Sequence, residues 1–516
     1  MVKFSTVSLW FLSFSLATTG FRPHGNGGVA YGLPLTKISE FSLAPDGGDP
    51  TDPVAVTACN GAPQTGLVYR NSETEPYLAV NPTDPNNMIA GWHVDRWSNG
   101  GGQAVGCAYT IDGGATWVET IIPFTTCFGG DDFERGSDPW ISFSPDGRAH
   151  YQALLFSDSA GENAIGSSYS DDGGKTWSPP VLIGRSKAQD NSLLSPFGDK
   201  NTITADPTDS NRVYGVWTQF RGLGWNPYPI YLTRSLDGGE TWSKPRAINL
   251  NNAQAAAGVK VGFYQGATIV VLRQTGVLVN VFYRILVDYG TNSKESINQI
   301  AIQRSFDKGD TWETKDIVVG LSSDDEGPID PDLNVPVRAG GALPMVAVNN
   351  QNDYIYVTWQ DASDGPFRSL ISHSVDGGDT WSPPISVGQP GVQTFLPKVA
   401  VADDGTVGVL FYDDRNDVLD DDTWDVDTYL KKFDADLDEI DEVRVTDASF
   451  DMRQMVIAGS RGYFPGDYEG LDVVGNEFVA AFTISNNLNL PVEYPQQVNG
   501  VEVDDANRQD IVFARI

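Results

Sequence analysis

Cysteine and histidine are scarce in this 516-residue chain: Cys59, Cys107 and Cys127 are its only thiols, and His24, His93, His150 and His373 its only imidazoles. No zinc-type Cys and His spacing can be assembled from so few ligands. Three thiols close at most one disulfide, so the fold has to be held by its core and not by a crosslinked framework. Cys59 and Cys127 lie in loop-like sequence and are the expected pair, with Cys107 buried in a strand. Basic residues are also few, 34 Lys and Arg against 68 Asp and Glu, giving a formal charge of -34. That balance excludes nucleic acid and anionic membrane as partners, because binding to phosphate draws on clustered Lys and Arg. An acidic sugar is not excluded, since one carboxylate needs only a few local arginines. Past the N-terminus no stretch reaches the ~18 apolar residues of a membrane span. The N-terminus itself runs Met1, Val2, Lys3 and then apolar from Val7 to Ala17, the layout of a secretory leader. Residues 1–25 are expected to be a signal peptide, residues 30–516 one domain, and the mature protein extracellular.

What the chain has in abundance is turn chemistry, with 54 Gly and 31 Pro spread along it. This composition predicts a β-rich protein without long helices. One phrase, Ser/Thr-x-Asp-x-Gly-x-Thr-Trp, occurs five times: Thr110 to Trp117, Ser170 to Trp177, Ser235 to Trp242, Ser305 to Trp312 and Ser374 to Trp381. Its aspartates, Asp112, Asp172, Asp237, Asp307 and Asp376, are 60, 65, 70 and 69 residues apart. Such a period suits one four-stranded propeller blade per repeat. Each phrase reads as a hairpin turn in which Asp accepts backbone N–H bonds, Gly takes positive φ and Trp packs beneath. The box is therefore structural and carries no chemistry.

Between boxes runs a second pattern, an inner strand followed by a strand rich in β-branched and aromatic residues that ends in polar groups. The inner strands are predicted at 76–80, 139–143, 202–205, 267–271, 343–348, 396–401 and 470–474. Seven such units predict an all-β, seven-bladed β-propeller, with a six-bladed, sialidase-like ring plus an odd hairpin as second choice. Closing the ring without an exposed edge requires the segment near Leu35 to Leu43 to pair with the C-terminal strand Asp510 to Ile516.

A propeller gathers its loops at the axis. Loops entering the inner strands supply Arg135, Asp138, Asp199, Lys200, Asn201, Tyr264, Gln265, Arg338, Arg461, Tyr463, Asp467 and Tyr468. Segments leaving the second strands supply His93, Asp95, Arg96, Trp97, Arg221, Tyr283, Arg284 and Arg415. In so acidic a chain this convergence of arginines, tyrosines and one histidine reads as a site for an anionic sugar with acid–base groups. His93 points opposite to Trp92, at the place where other blades carry Ser157, Thr218, Tyr283, Gln360, Tyr412 and Thr483. His150 and His373 read as structural. The acidic stretches at 324–326, Asp330 with Asp332, and 420–427 read as solvated loops, with calcium the ion their clustered oxygens would suit. No cofactor is required.

The five boxes, covering residues 70 to 390, resemble the BNR or Asp-box repeats of the sialidase superfamily. True sialidases open with Arg-Ile-Pro and use a Tyr–Glu nucleophile pair with an Asp acid/base; no Arg-Ile-Pro occurs in this chain. Its early strand, Glu75-Pro76-Tyr77-Leu78-Ala79-Val80-Asn81-Pro82, looks like that of secreted seven-bladed relatives. The segment His93-Val94-Asp95-Arg96-Trp97 and the overall architecture are similar to fungal polysaccharide lyases that release terminal rhamnose from glucuronate by β-elimination. Elimination from a uronate needs a cation to neutralise the carboxylate, a base for the C5 proton and an acid for the departing oxygen. Arg135, Arg221 and Arg284 would serve for the first, His93 for the second, and Tyr283, Tyr463 or Tyr468 for the third. Arg96, Asp138, Lys200, Asn201, Arg415 and Asp467 would complete a site for an acidic polysaccharide or oligosaccharide. Hydrolysis would instead need a carboxylate pair, for which Asp138 and Asp467 are available. Three readings stand, in the order uronate lyase, sialidase-like exo-glycosidase and non-catalytic glycan-binding propeller.

Overall fold

Short alternating strands punctuated by glycine turns leave this chain only sheets to build, and a sheet with both faces apolar has to be stacked against others. The computed structural model describes residues 33–39, 64, 66–130, 133–157, 161–186, 196–220, 228–249, 260–288, 296–323, 327–341, 343–459, 462–487, 497–498, 501–504 and 508–516. The expected leader, Cys59, Arg221, Arg461 and residues 324–326 lie outside them. The described chain is an all-β propeller of antiparallel meanders. The first runs Thr74–Val80, Met88–Trp97, Gly102–Thr110 and Val118–Thr120. Later meanders start on Arg135–Phe143, Phe197–Ala205, Lys260–Val271, Met345–Val348, Thr394–Val401 and Gly470–Val474. These inner strands pack each beside the next, and Gly470–Val474 returns to lie beside Thr74–Val80. The second meander joins the first through one extra bridge, Gly102 to Gly136.

The ring is closed by strand exchange between the chain ends. In the last meander, Gly470–Val474 pairs with Glu477–Ser485, which pairs with the C-terminal Gln509–Arg515. Thr36–Lys37 then adds as the outermost strand, Thr36 opposite Phe513 and Lys37 opposite Val512, with Ile38 N donating to Ile511 O at 3.0 Å. This is the pairing the sequence requires of a ring without a free edge.

The Asp boxes share one geometry. In the first, Asp112 Oδ1 accepts from Thr116 N at 2.9 Å and Oδ2 from Thr116 Oγ1 at 2.6 Å. Thr110 Oγ1 donates to Asp112 at 2.7 Å and accepts from Gly114 N at 3.0 Å. The same bonds recur around Asp172, Asp237, Asp307 and Asp376. Hydrogen bonds from the threonine, through its side chain first and then its backbone, hold the Asp112 carboxyl down at about 2. Each turn is pressed on its neighbour: Trp117 lies 5.2 Å from Phe513 of the last meander, and Trp177 Nε1 donates to Thr120 Oγ1 at 3.0 Å. The sixth meander lacks the box yet keeps its logic, with Asp434 Oδ1 accepting from the backbone of Asp436 and Asp438.

Cys107 is a buried free thiol. His150 is fully buried against Ser144 Oγ at 2.8 Å, and His373 stacks on Tyr356; neither is near the axial cluster described below.

Gly114 sits at φ +93°, and a Cβ there would collide with the Phe513 ring, whereas Gly391 at φ +85° has open space around it. Gly114→Ala is expected to cost about 3 kcal/mol, combining left-handed strain with overpacking. Gly391→Ala should cost only the backbone share, about 1 kcal/mol. Denaturant unfolding of both variants checks this; equal losses would show that the box is not a contact between blades.

Candidate functional site

A repeated backbone irregularity builds the upper end of the axis, opposite the Asp boxes. The inner strands carry β-bulges where the register jumps: between Thr74 and Tyr77, Ser137 and Trp140, Asp199 and Thr202, Gln265 and Thr268, and Phe395 and Lys398. The left-handed residue within each bulge is Glu75 (φ +55°), Asp138, Lys200, Gly266 or Leu396. Bulges re-aim side chains and recur next to functional sites. Non-glycine residues held at positive φ cost of order 1–3 kcal/mol and persist only where surrounding contacts impose them. In the first three meanders that position is charged, and the three side chains meet.

Lys200 is the hub. Its Nζ lies 3.3 Å from Asp138 Oδ1 and 3.7 Å from Glu75 Oε1, and it pairs closely with Asp467 Oδ2. Its backbone N donates to Asp138 Oδ2 at 3.0 Å, and Asn201 Nδ2 donates to Asp138 O at 3.2 Å. Arg338 donates to the same Asp467 oxygen at 2.8 Å. Gly340, at φ +68°, lets that loop approach, because a Cβ there would strike the Asp467 backbone. Tyr463 braces it through its backbone, its carbonyl accepting from Arg338 N at 2.8 Å. The guanidiniums of Arg96 and Arg338 each lie 4.6 Å from the centre of the Phe464 ring.

His93 lies beneath this hub, 1% exposed. Its Nε2 is 2.7 Å from Glu75 Oε2 and accepts from Asp138 N at 3.1 Å. Glu75, His93 and Asp138 bring one ligand-type atom each within 4.8 Å of one another. The Lys200 ammonium already supplies a cation to the two carboxylates.

The environment sorts these acids. Burial acts to raise Glu75, but Lys200 and His93 outweigh it and leave the carboxyl well below its usual range. Asp138 is raised, burial prevailing over Lys200. For Lys200 the balance goes the other way, since Asp138, Asp467 and Glu75 overcome burial and raise it. Burial, followed by repulsion from Arg338, lowers Arg96 to about 10. Asp199, half-buried at the outer edge of the cluster, is raised to about 7, first by burial and then by Asp138. Its Oδ2 accepts from Gln265 Nε2 at 3.3 Å.

The structure thus brings together His93, Asp138, Lys200, Asn201 and Asp467, with Arg96 and Tyr468 beside them. Tyr468 packs on Trp140 and donates to Pro139 O at 3.3 Å; burial raises its hydroxyl well above the usual range. The other predicted residues lie elsewhere, because the chain supplies them with nearer partners. Arg135 is buried against Gln64, Asn99 and Gly100 and stacked on Trp97. Arg284 pairs with Asp316 and Gln299 on the outer side of its sheet. Arg415 pairs with Asp413 and Glu442 over Tyr429. Tyr283 packs among Val281, Ile300 and Trp359, and the Tyr463 ring packs near Trp424. Among the acidic stretches, Asp330 and Asp332 are held by Arg453 at 2.7–3.0 Å, and Asp427 by Arg444, Thr446 and Ser449.

Glu75 carries no role in the sequence reading, and Asp199 and Arg338 appear there only as loop residues. The signal was present: Glu75-Pro76-Tyr77 and Asp138-Pro139-Trp140 repeat an acid, a proline and an aromatic at the same place in successive units.

Residues 168–179 match the family model of the BNR/Asp-box repeat. No curated protein sequence matches the chain. Among solved structures the chain is similar to a polysaccharide lyase of family PL25, an ulvan lyase, at 11% identity and TM-score 0.46, over 80% of this chain and 91% of that one. It is also similar to a Hadza microbial sialidase, at 14% identity and TM-score 0.42, over 83% and 76% of the two chains. A third is the α-L-arabinofuranosidase of Fusarium graminearum solved with arabinobiose, at 14% identity and TM-score 0.43, over 66% and 88%.

Because Asp199 titrates at about 7 in the fold and at about 3.9 in a free chain, folding favours its neutral form. The stability this adds is full below about pH 4 and is lost as pH rises through about 7. Asp199→Asn is therefore expected to flatten the fall in Tm between about pH 4 and pH 7. Parallel Tm profiles for the two proteins would show that Asp199 is not the titrating group.

Proposed function

We propose that this protein is a secreted carbohydrate-active enzyme that cleaves a terminal sugar, rhamnose in the first instance, from glucuronate in an acidic plant glycan by β-elimination. The observation that carries this reading is Asp199, a half-buried carboxyl titrating near neutrality beside Lys200 and Arg338. In this scheme the more exposed Arg338 neutralises the uronate carboxylate, which acidifies the C5 proton, while Lys200 holds the buried acids behind it. Ionised Asp199 takes that proton, the C4–O bond breaks as the C4–C5 double bond forms, and the Asp199 carboxyl returns the proton to the departing oxygen. His93, held under Glu75, acts as a positioning residue in place of the base it was expected to be. The pair offered for hydrolysis, Asp138 and Asp467, is committed to Lys200 on both sides, which favours elimination over the sialidase-like exo-glycosidase reading. We read the ring as seven blades, from the seven inner strands that follow one another around the axis.

The test is incubation with uronate-bearing plant polysaccharides, gum arabic included, with ultraviolet absorbance and released sugars followed together. Rising absorbance with free rhamnose is expected, with activity increasing as pH passes about 7. Asp199→Asn and Arg338→Ala should each lower kcat by about 10²–10⁴. Reducing sugar without absorbance would replace elimination by hydrolysis, and binding without release would make the protein a glycan-binding propeller.

We further propose that residues 1–25 are removed on secretion and that Cys59 and Cys127 form a disulfide, Cys107 being buried and free. Intact mass of protein recovered from medium, before and after reduction, checks both. A retained leader, or a mass unchanged by reduction, would count against the respective proposal.

A further inference from the structure

Around Asp199 the mouth of the axis changes character. The position three residues before the left-handed residue of each bulge is Ser72, Arg135, Phe197, Phe263 or Gln393. Rings therefore replace polar groups at this level in the third and fourth meanders, the two that supply Asp199 and its hydrogen-bond partner Gln265. Phe197 is two residues from Asp199 and Phe263 two residues from Gln265, and residues two apart on a strand share a face. A ring thus stands one step above either partner of the Asp199–Gln265 hydrogen bond.

Phe220, which ends the second strand of the third meander, lies opposite Phe197. Tyr228 joins the two meanders. It forms a backbone bridge to Phe263, and its ring centre lies 4.7 Å from that of Phe220 and 5.1 Å from that of Phe263. Both contacts are edge to face, at 67° and 66°, and all four rings stay half-buried. Rings that serve the core of the same two meanders are sealed off, Trp217 being 1% and Tyr264 2% exposed. The four at the mouth keep ring surface in solvent, and apart from the Tyr228 hydroxyl they offer no polar group.

We infer that Phe197, Phe220, Tyr228 and Phe263 form a subsite for the neutral pyranose rings of the glycan chain that continues beyond the glucuronate. The inference rests on the elimination reading, which fixes the uronate at Asp199 and Arg338. A pyranose carries its hydroxyls around the edge and C–H bonds on its faces, so an aromatic strip can take the face and leave the hydroxyls in water. A carboxylate laid on the same rings would lose its hydration without gaining a partner, which directs the uronate to Arg338 and neutral sugars to the strip. A strip several rings long exceeds what the single departing sugar needs and suits a continuing chain.

The probes are gum arabic fragments of two, three and five sugars that end in rhamnose linked to glucuronate, titrated calorimetrically into full-length Asp199→Asn protein. The five-sugar fragment is expected to bind about tenfold tighter than the two-sugar one. Tyr228→Leu and Phe263→Leu should abolish that gain and leave the affinity of the two-sugar fragment unchanged. Equal affinities along the series, no binding of any fragment, or a gain that persists in both leucine variants would overturn the subsite. A second measurement does not depend on those variants folding: in saturation-transfer NMR with irradiation of the aromatic protons, the strongest transfer should reach C–H groups of the third and later sugars. Transfer confined to the rhamnose would put the terminal sugar on the strip and overturn the inference. The two readings fail separately. Length-dependent binding by a wild-type protein that never raises absorbance would end the elimination scheme and keep the strip, whereas rising absorbance with length-independent affinity would do the reverse.

Discussion

The ammonium of Lys200 is the contact on which the upper half of the axis depends. It comes from the third inner strand and meets Glu75 of the first, Asp138 of the second and Asp467 just ahead of the last. The pairing with Asp467 spans 267 residues of sequence, so the ring is tied at its centre as well as at its rim, where Thr36–Lys37 meets the C-terminal strand. Buried charges of this kind are expensive to desolvate, and removal of one partner typically costs about 3–5 kcal/mol. Retaining several of them where a propeller could carry apolar side chains is a cost that stability alone does not explain. The proposed elimination gives that cost a use, since it needs a fixed field at the axis.

The bulges explain how that field is aimed. A regular inner strand would alternate its side chains between the two faces of the blade, and none would point along the axis. One extra residue at positive φ breaks the alternation at the same level in successive blades. At the Lys200 hub the left-handed residue is Glu75, Asp138 or Lys200, and elsewhere it is Gly266 or Leu396. Glycine takes this conformation at little cost, whereas the three charged residues take it because their ion pairs hold them there.

The rim of the fold was legible and the centre only partly so, for a physical reason. A box is a local object, since Asp112 bonds residues two and four positions away, and local hydrogen bonding is what short sequence patterns record. The closing strand was readable because a propeller cannot leave an edge bare. Convergence at the axis is non-local, and a loop arginine finds the nearest carboxylate that topology offers. Arg284 finds Asp316, Arg415 finds Asp413, and Arg135 finds a carbonyl, two amides and the Trp97 ring. Nothing in the spacing of those residues distinguishes them from Arg338, which reaches Asp467. That His93 lies under Glu75 depends on a bulge that the sequence marks only through the recurring acid, proline and aromatic.

The division of labour among the axial acids follows from where the positive charge falls. Glu75 lies between Lys200 and His93 and stays ionised across the physiological range, so it can only orient and stabilise. Asp199 feels the same ammonium, but burial and the repulsion of Asp138 prevail, leaving it able to change protonation near neutrality. In the proposed elimination these two carboxyl groups take different roles: the one that cannot titrate sets the field, and the one that can moves the proton. Residue type does not decide between them, since both are ordinary acids at the mouths of inner strands. The decision is made by the position of Lys200, which places its charge against Glu75, Asp138 and Asp467 and leaves Asp199 at the edge with Gln265 as its hydrogen-bond partner.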